Sequence, residues 1–146
     1  MNNLLIFGVG LIGGSIAIEC QKKQMFNYVV GVQREGGTSL SPFVSSGMID
    51  RVSDNLDDDI KQADFIVIAT PVAQIKNILT TISSSLSPKT IMIDVGSTKS
   101  SVMRFAKEEL KEKFPQFVGS HPIAGSEQHG PTACLLYTSP SPRDGL

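Results

Sequence analysis

Three short segments carry residue types that can do chemistry. The first is Gly8-Val9-Gly10-Leu11-Ile12-Gly13, a G-x-G-x-x-G spacing between an apolar run and a helical pattern. In that context the three glycines act differently. Gly8 permits a tight turn, Gly10 lets backbone approach a pyrophosphate, and Gly13 lets a helix pack closely on a strand. The N–H groups that open the helix, from Leu11, Ile12 and Gly13, have no acceptor within it; together with the positive end of the helix dipole they suit phosphate. Without a ligand the segment is only a glycine-rich turn; with a strand before it and a helix after it, it predicts dinucleotide binding. The second segment is Asp94-Val95-Gly96-Ser97-Thr98-Lys99, and the third is His121-Pro122-Ile123-Ala124-Gly125-Ser126-Glu127. A histidine takes or shares a proton near neutral pH, and a serine hydroxyl donates to a substrate hydroxyl or to such a base.

Two further positions refine the cofactor. The second strand ends in Gln33-Arg34-Glu35. An acid is expected there for an adenosine ribose, and Gln33 stands in its place. Arg34 beside it can pair with a 2′-phosphate, which predicts NADP in preference to NAD. In the alternative, Arg34 is a solvated loop residue and Glu35 serves the ribose. Ala69-Thr70-Pro71-Val72 lies at a later strand's carboxyl end, where ligands of open α/β sheets bind. Thr70, next to Pro71, either touches the nicotinamide side of the cofactor or caps the following helix. Ser97 has a comparable second role, as N-cap of the helix it precedes. Lys99 is expected to be a surface or supporting charge rather than the catalyst, and His129 has no assignment.

These residues need elements to position them. Residues 3–7, 28–33, 65–69, 90–95 and 116–120 read as strands; 11–24, 72–85 and 98–113 read as helices, the last strongly amphipathic through Val102, Phe105, Ala106 and Leu110. Ser41-Pro42 can start a short helix that Gly47 stops, and residues 55–62 form a short helix or turn. Strands that are apolar throughout are buried on both faces. Alternated with helices, they predict an α/β fold: a Rossmann-type, doubly wound, mainly parallel sheet with helices on both faces.

Composition narrows the class. With 146 residues, 40% of them hydrophobic and 18% charged, the chain has material for one globular domain. Net charge is −1, so no basic footprint points to nucleic acid and no polybasic cluster to a membrane surface. Cys20 and Cys134 make neither a disulfide framework nor a metal site. The apolar N-terminal stretch has no preceding Lys or Arg and is closed by Glu19 short of the roughly 18 residues a membrane span needs. A cytoplasmic protein is expected. The last residues differ in character: 134–144 resemble one reading frame of the adapter DNA used in building sequencing libraries. On that reading the domain occupies residues 1–133 and residues 134–146 are a non-native tail; otherwise they are an ordinary Pro/Ser-rich terminus.

Taken together, the glycine segment through Ser15, Ala69-Thr70-Pro71, the Asp94–Lys99 segment and the His121–Glu127 segment resemble the prephenate/arogenate dehydrogenase family of tyrosine biosynthesis, over essentially all of residues 1–133. The resemblance implies an NAD(P)-dependent oxidative decarboxylation of prephenate or arogenate. His121 would hold the ring hydroxyl as it becomes a carbonyl, and Ser97 would orient both. Gln33-Arg34 departs from the acid of NAD-using members and looks similar to NADP-using ones. The family's second, helical domain supplies the dimer interface and the basic groups for substrate carboxylates, and it is missing here. This chain is therefore expected to bind nucleotide with little turnover, and the full-length parent to be a homodimer. Two other readings are a dehydrogenase of the 3-hydroxyacid type and a non-catalytic nucleotide-sensing domain.

Overall fold

The computed structural model describes residues 2–121. Six strands, β1 (Asn3–Phe7), β2 (Tyr28–Val32), β3 (Arg51–Val52), β4 (Phe65–Ile68), β5 (Ile91–Asp94) and β6 (Phe117–Gly119), form one sheet. Every pairing is parallel, and the spatial order is β3-β2-β1-β4-β5-β6. The chain winds outward from β1 in one direction and then from β4 in the other, so the switch in direction lies between β1 and β4. Their carboxyl ends leave a crevice there.

Alternation along each strand explains the layers. Leu4, Ile6, Val29 and Val67 point to one face, where Ile16, Ala17 and Cys20 of α1 (Leu11–Lys22), Phe43 of α2 (Ser41–Ser45) and Leu40 just before α2 cover them. Leu5, Phe7, Val30, Ile66, Ile68 and Met92 point to the other. There they meet Ile60 of α3 (Leu56–Gln62), Ile75, Leu79 and Ile82 of α4 (Val72–Ser85), and Val102, Ala106 and Leu110 of α5 (Lys99–Leu110). Both sheet faces are thus buried, as strands without polar alternation require.

Two differences from expectation go beyond a residue or two at an element's end. The amphipathic helix stops at Leu110 and continues as a 3-10 turn, Lys111–Gln116. The break is at Lys111, whose φ is +50°, and Pro115 keeps the α-helix from continuing, since its ring would strike the Lys111 carbonyl and it has no N–H to donate. Lys113, released from the helix, donates to the Ser83 carbonyl oxygen at 2.7 Å and so caps the end of α4. The two-residue strand β3 is the other difference, being too short to carry a periodic signal in the sequence. It is held by Asp50, whose carboxylate accepts from the Val29 N–H at 2.6 Å and from Gln21 Nε2 at 2.9 Å. Among the described residues, no helix is long and apolar enough to cross a membrane.

Candidate nucleotide and active site

The glycine segment forms the turn from β1 into α1. Gly8 has φ +90°, and a Cβ there would lie 2.5 Å from the Ala69 carbonyl oxygen, so the turn and the β4 end are in backbone contact. A Cβ at Gly13 would fall within the envelope of the Gly8 carbonyl oxygen and 3.1 Å from the Ala69 side chain. At Gly10, the residue preceding the first turn, a Cβ would meet nothing within 4 Å. Gly8 thus holds the tight turn and Gly13 the close packing, and Gly10 leaves open space beside the first turn. Gly14 N donates to the Gly10 carbonyl at 2.8 Å, the first bond of the helix. The N–H groups of Leu11, Ile12 and Gly13 precede it and open the helix. Leu11 and Ile12 would serve a phosphate through backbone; the Ile12 side chain packs into the core beside α1.

A cleft of about 670 Å³ opens at the carboxyl edge of the sheet. Gly8, Gly10, Gln33, Arg34, Thr70 and Pro71 all line it, so six of the predicted residues meet in one place. Leu11, Ile12, Gly13, Ser97 and His121 are not among its lining residues. No Asp or Glu is among its lining residues, and Glu35 is exposed elsewhere in the turn. Helix α4 contributes Gln74, Asn77 and Ile78, which the sequence does not single out. Helical periodicity identifies which face of α4 is core but not which flank borders a cavity.

Gln33 lines the cleft, but its side chain is engaged by the loop. Its Nε2 donates to the carbonyl oxygens of Arg34 (3.1 Å) and Thr38 (3.0 Å), and its Oε1 accepts from the Leu40 N–H at 2.9 Å. Gly37 N closes the same turn onto the Arg34 carbonyl at 3.0 Å. The loop that presents Arg34 and Thr38 is thereby tied down before any ligand arrives. At the strand's end the cleft is therefore lined by an arginine and a threonine and by no carboxylate.

Thr70 does not cap α4. Pro71 holds that position without a side-chain cap bond, and Thr70 Oγ1 is buried with no partner among the described residues. A buried hydroxyl in a cleft wall without an acceptor or donor suits a ligand group. This orphan hydroxyl, the open space at Gly10 and the acid-free lining together fit a dinucleotide.

The carboxyl ends of β5 and β6 carry the other predicted residues. Asp94 pairs in register with Gly119, so the segments after them are neighbours. Ser97 is exposed and is not the helix cap, because Thr98 holds that position, with no side-chain bond of its own. His121 is exposed two residues past β6. Between them lies an ion pair that composition alone does not reveal. The Asp94 carboxylate, 0% exposed, accepts from Lys99 Nζ at 2.7 and 2.6 Å, from Gly96 N–H at 2.9 Å and from Ser120 N–H at 3.2 Å. The available signal is an acid ending an otherwise apolar strand, since a buried carboxylate demands partners. Pro122 through Glu127, His129, Cys134 and the proposed tail lie outside the described residues.

Known proteins match this arrangement. A family described as prephenate dehydrogenase, nucleotide-binding domain, matches residues 16–137. The prephenate dehydrogenase of Bacillus subtilis (strain 168) is 35% identical over 133 residues, which are 90% of this chain and 35% of that protein. A crystal structure of prephenate dehydrogenase from A. aeolicus, in complex with hydroxyphenyl propionate and NAD+, superposes with a TM-score of 0.77 at 31% identity, covering 90% of this chain and 45% of the other. Synechocystis arogenate dehydrogenase gives 0.71 at 27% identity, covering 89% and 44%. The chain spans between a third and a half of the length of these relatives. On that match, this chain belongs to the prephenate dehydrogenase nucleotide-binding domain family.

Proposed function

We propose that this domain binds NADP in preference to NAD and serves a protein that oxidatively decarboxylates prephenate or arogenate. The observation that carries the cofactor reading is the end of β2: Arg34 lines the cleft, Gln33 is held by the loop, and no carboxylate is among the lining residues. A guanidinium at that position favours a 2′-phosphate through charge-assisted bonds. The pyrophosphate would rest on Gly10 and the N–H groups of Leu11, Ile12 and Gly13. Thr70 and Pro71 would border the cofactor, and the bound nicotinamide would supply the hydride acceptor.

For the chemistry, His121 takes the proton of the ring hydroxyl as the carbonyl forms, and the Ser97 hydroxyl orients that hydroxyl. The neighbouring ends of β5 and β6 support this assignment, as do relatives named prephenate and arogenate dehydrogenase. Groups for the substrate carboxylates would come from the part of the longer protein that relatives have beyond this span. On this reading the chain alone binds nucleotide and turns over little, and the longer protein is a cytoplasmic homodimer.

Calorimetric titration of the chain with NADP and with NAD tests the cofactor reading. Tighter NADP binding that Arg34→Ala weakens by about 10- to 100-fold, the worth of a charge-assisted hydrogen bond of about 1.5–3 kcal/mol, is the expected result. Tighter NAD binding, or an Arg34→Ala variant that keeps the NADP affinity, would remove Arg34 from the site.

A further inference from the structure

We infer that the Asp94–Lys99 ion pair is a positioning device for the proton-handling end of the site, fixing the segment that presents His121 and the turn that carries Ser97. This rests on the assignment of His121 and Ser97 made above. Its basis is where the bonds go. Lys99 Nζ has three N–H donors; two engage the Asp94 oxygens and the third engages the Ser120 carbonyl oxygen. None is left for a substrate carboxylate, so Lys99 is a support and not a substrate ligand.

Ser120, immediately before His121, is held at three atoms. Its N–H donates to Asp94 Oδ1, its Oγ donates to the Asp94 carbonyl oxygen, and its own carbonyl accepts from Lys99. On the other side Gly96 N–H donates to Asp94 Oδ2 at 2.9 Å, and a Cβ at Gly96 would sit 3.1 Å from that oxygen. The turn leading to Ser97 is therefore wrapped around the same carboxylate. Strand β6 is pressed onto the lysine as well: a Cβ at Gly119 would lie 2.9 Å from Lys99 Cδ. Buried ion pairs add little net stability over apolar side chains of similar volume, because desolvation offsets the attraction. What this pair supplies is geometry, directed at the two segments that carry Ser97 and His121.

The test uses the isotopically labelled chain, Lys99→Met, and the double variant Asp94→Asn/Lys99→Met, which leaves no buried carboxylate unpaired. The readouts are the His121 Cε1–Hε1 NMR signal, amide exchange at Ser120, and NADP affinity. In the double variant we expect the His121 signal to shift or broaden. We also expect Ser120 to lose about tenfold more exchange protection than amides of β1 and β4. NADP affinity should stay within about twofold, since the nucleotide cleft lies elsewhere. Lys99→Arg should restore the His121 signal, because a guanidinium can engage both carboxylate oxygens. An unchanged His121 signal in the double variant would overturn the proposal, as would Ser120 protection that falls only in step with β1 and β4. A double variant that fails to fold also counts against it, since the pair would then be a requirement of the fold. Failure of the His121 assignment on which this rests shows separately, as turnover of the longer enzyme surviving loss of His121.

Discussion

The three glycines of the turn after β1 allow the same substitution to be read three ways, and Gly13→Ala against Gly10→Ala is the sharpest contrast. Both add one methyl group. At Gly13 that methyl overlaps the Gly8 carbonyl oxygen and comes within 3.1 Å of the Ala69 side chain. Neither neighbour can swing aside, because Gly8 is itself fixed at φ +90° against the backbone of Ala69. Helix α1 must move off the sheet. Alanine's helix propensity returns up to about 1 kcal/mol, while overpacking against backbone costs about 1–3 kcal/mol or more. A net loss of about 1–2 kcal/mol lowers Tm by roughly 3–8 °C in a domain near this size. At Gly10 no atom lies within 4 Å of the added methyl, and the cost is that of alanine against glycine in the residue before a helix, roughly 0.5–1 kcal/mol.

Gly10→Ala should therefore melt within about 4 °C of the parent, using the same conversion. On the proposed reading, however, its methyl stands where the pyrophosphate approaches the helix N–H groups, so NADP affinity should fall at least about tenfold, or about 1.4 kcal/mol. Scanning calorimetry and isothermal titration of the purified chain measure both quantities. A Gly10→Ala variant that binds NADP as tightly as the parent would refute phosphate approach at this turn. A Gly13→Ala variant that melts with the parent would refute the packing argument.

Two further outcomes follow from single side chains. In the longer enzyme, His121→Asn should reduce turnover by about 10²–10⁴ while leaving NADP affinity within about twofold, as loss of a general base does; unchanged turnover would remove His121 from the mechanism. Burial pushes the Cys20 thiol pKa up, and the neighbouring Glu19 carboxylate adds to this against the opposing Lys23. The folded state thus favours the neutral thiol. That contribution to stability is complete at pH below the ordinary thiol range and is lost as pH rises through the raised value. In a Cys134→Ser background, a disulfide reagent should therefore label Cys20 about tenfold or more slowly in the folded than in the unfolded chain at about pH 8. Equal rates would show that Cys20 is accessible.

Much of the architecture is legible in the sequence because it is written in runs. The strand from Asn3 to Phe7 and the helix from Val72 to Ser85 appear where apolar continuity and helical spacing place them. What escapes such reading is structure set by partners distant in sequence. Arg51–Val52 is a strand only because β2 lies alongside it and Asp50 caps the pairing. The end of α5 falls short of its sequence pattern because amphipathicity persists past Leu110, while Pro115 acts backward on the residues before it. Thr70 and Ser97 each have a capping role open to them, and neither fills it, because Pro71 and Thr98 occupy those positions. The Gln33 side chain cannot be assigned from the sequence, since its acceptors, the carbonyls of Arg34 and Thr38, converge only once the loop is closed.

The two ends of the site are built on different physical principles, and this explains why one is easier to read than the other. The nucleotide end is made by backbone: glycines that withhold a Cβ, helix N–H groups with no acceptor, and a loop closed by an amide. Such features depend on residue type at fixed spacing, so a motif encodes them directly. The other end is made by side chains meeting across two strands and a helix. Asp94 can be buried only because Lys99 and the N–H groups of Gly96 and Ser120 reach it together. Removing the lysine alone leaves a carboxylate at 0% exposure without its charge partner, which costs about 3–5 kcal/mol, whereas removing both charges leaves no such penalty. A backbone-built cleft therefore survives changes at the β5–β6 edge, and the edge that presents His121 can be loosened without emptying the cleft.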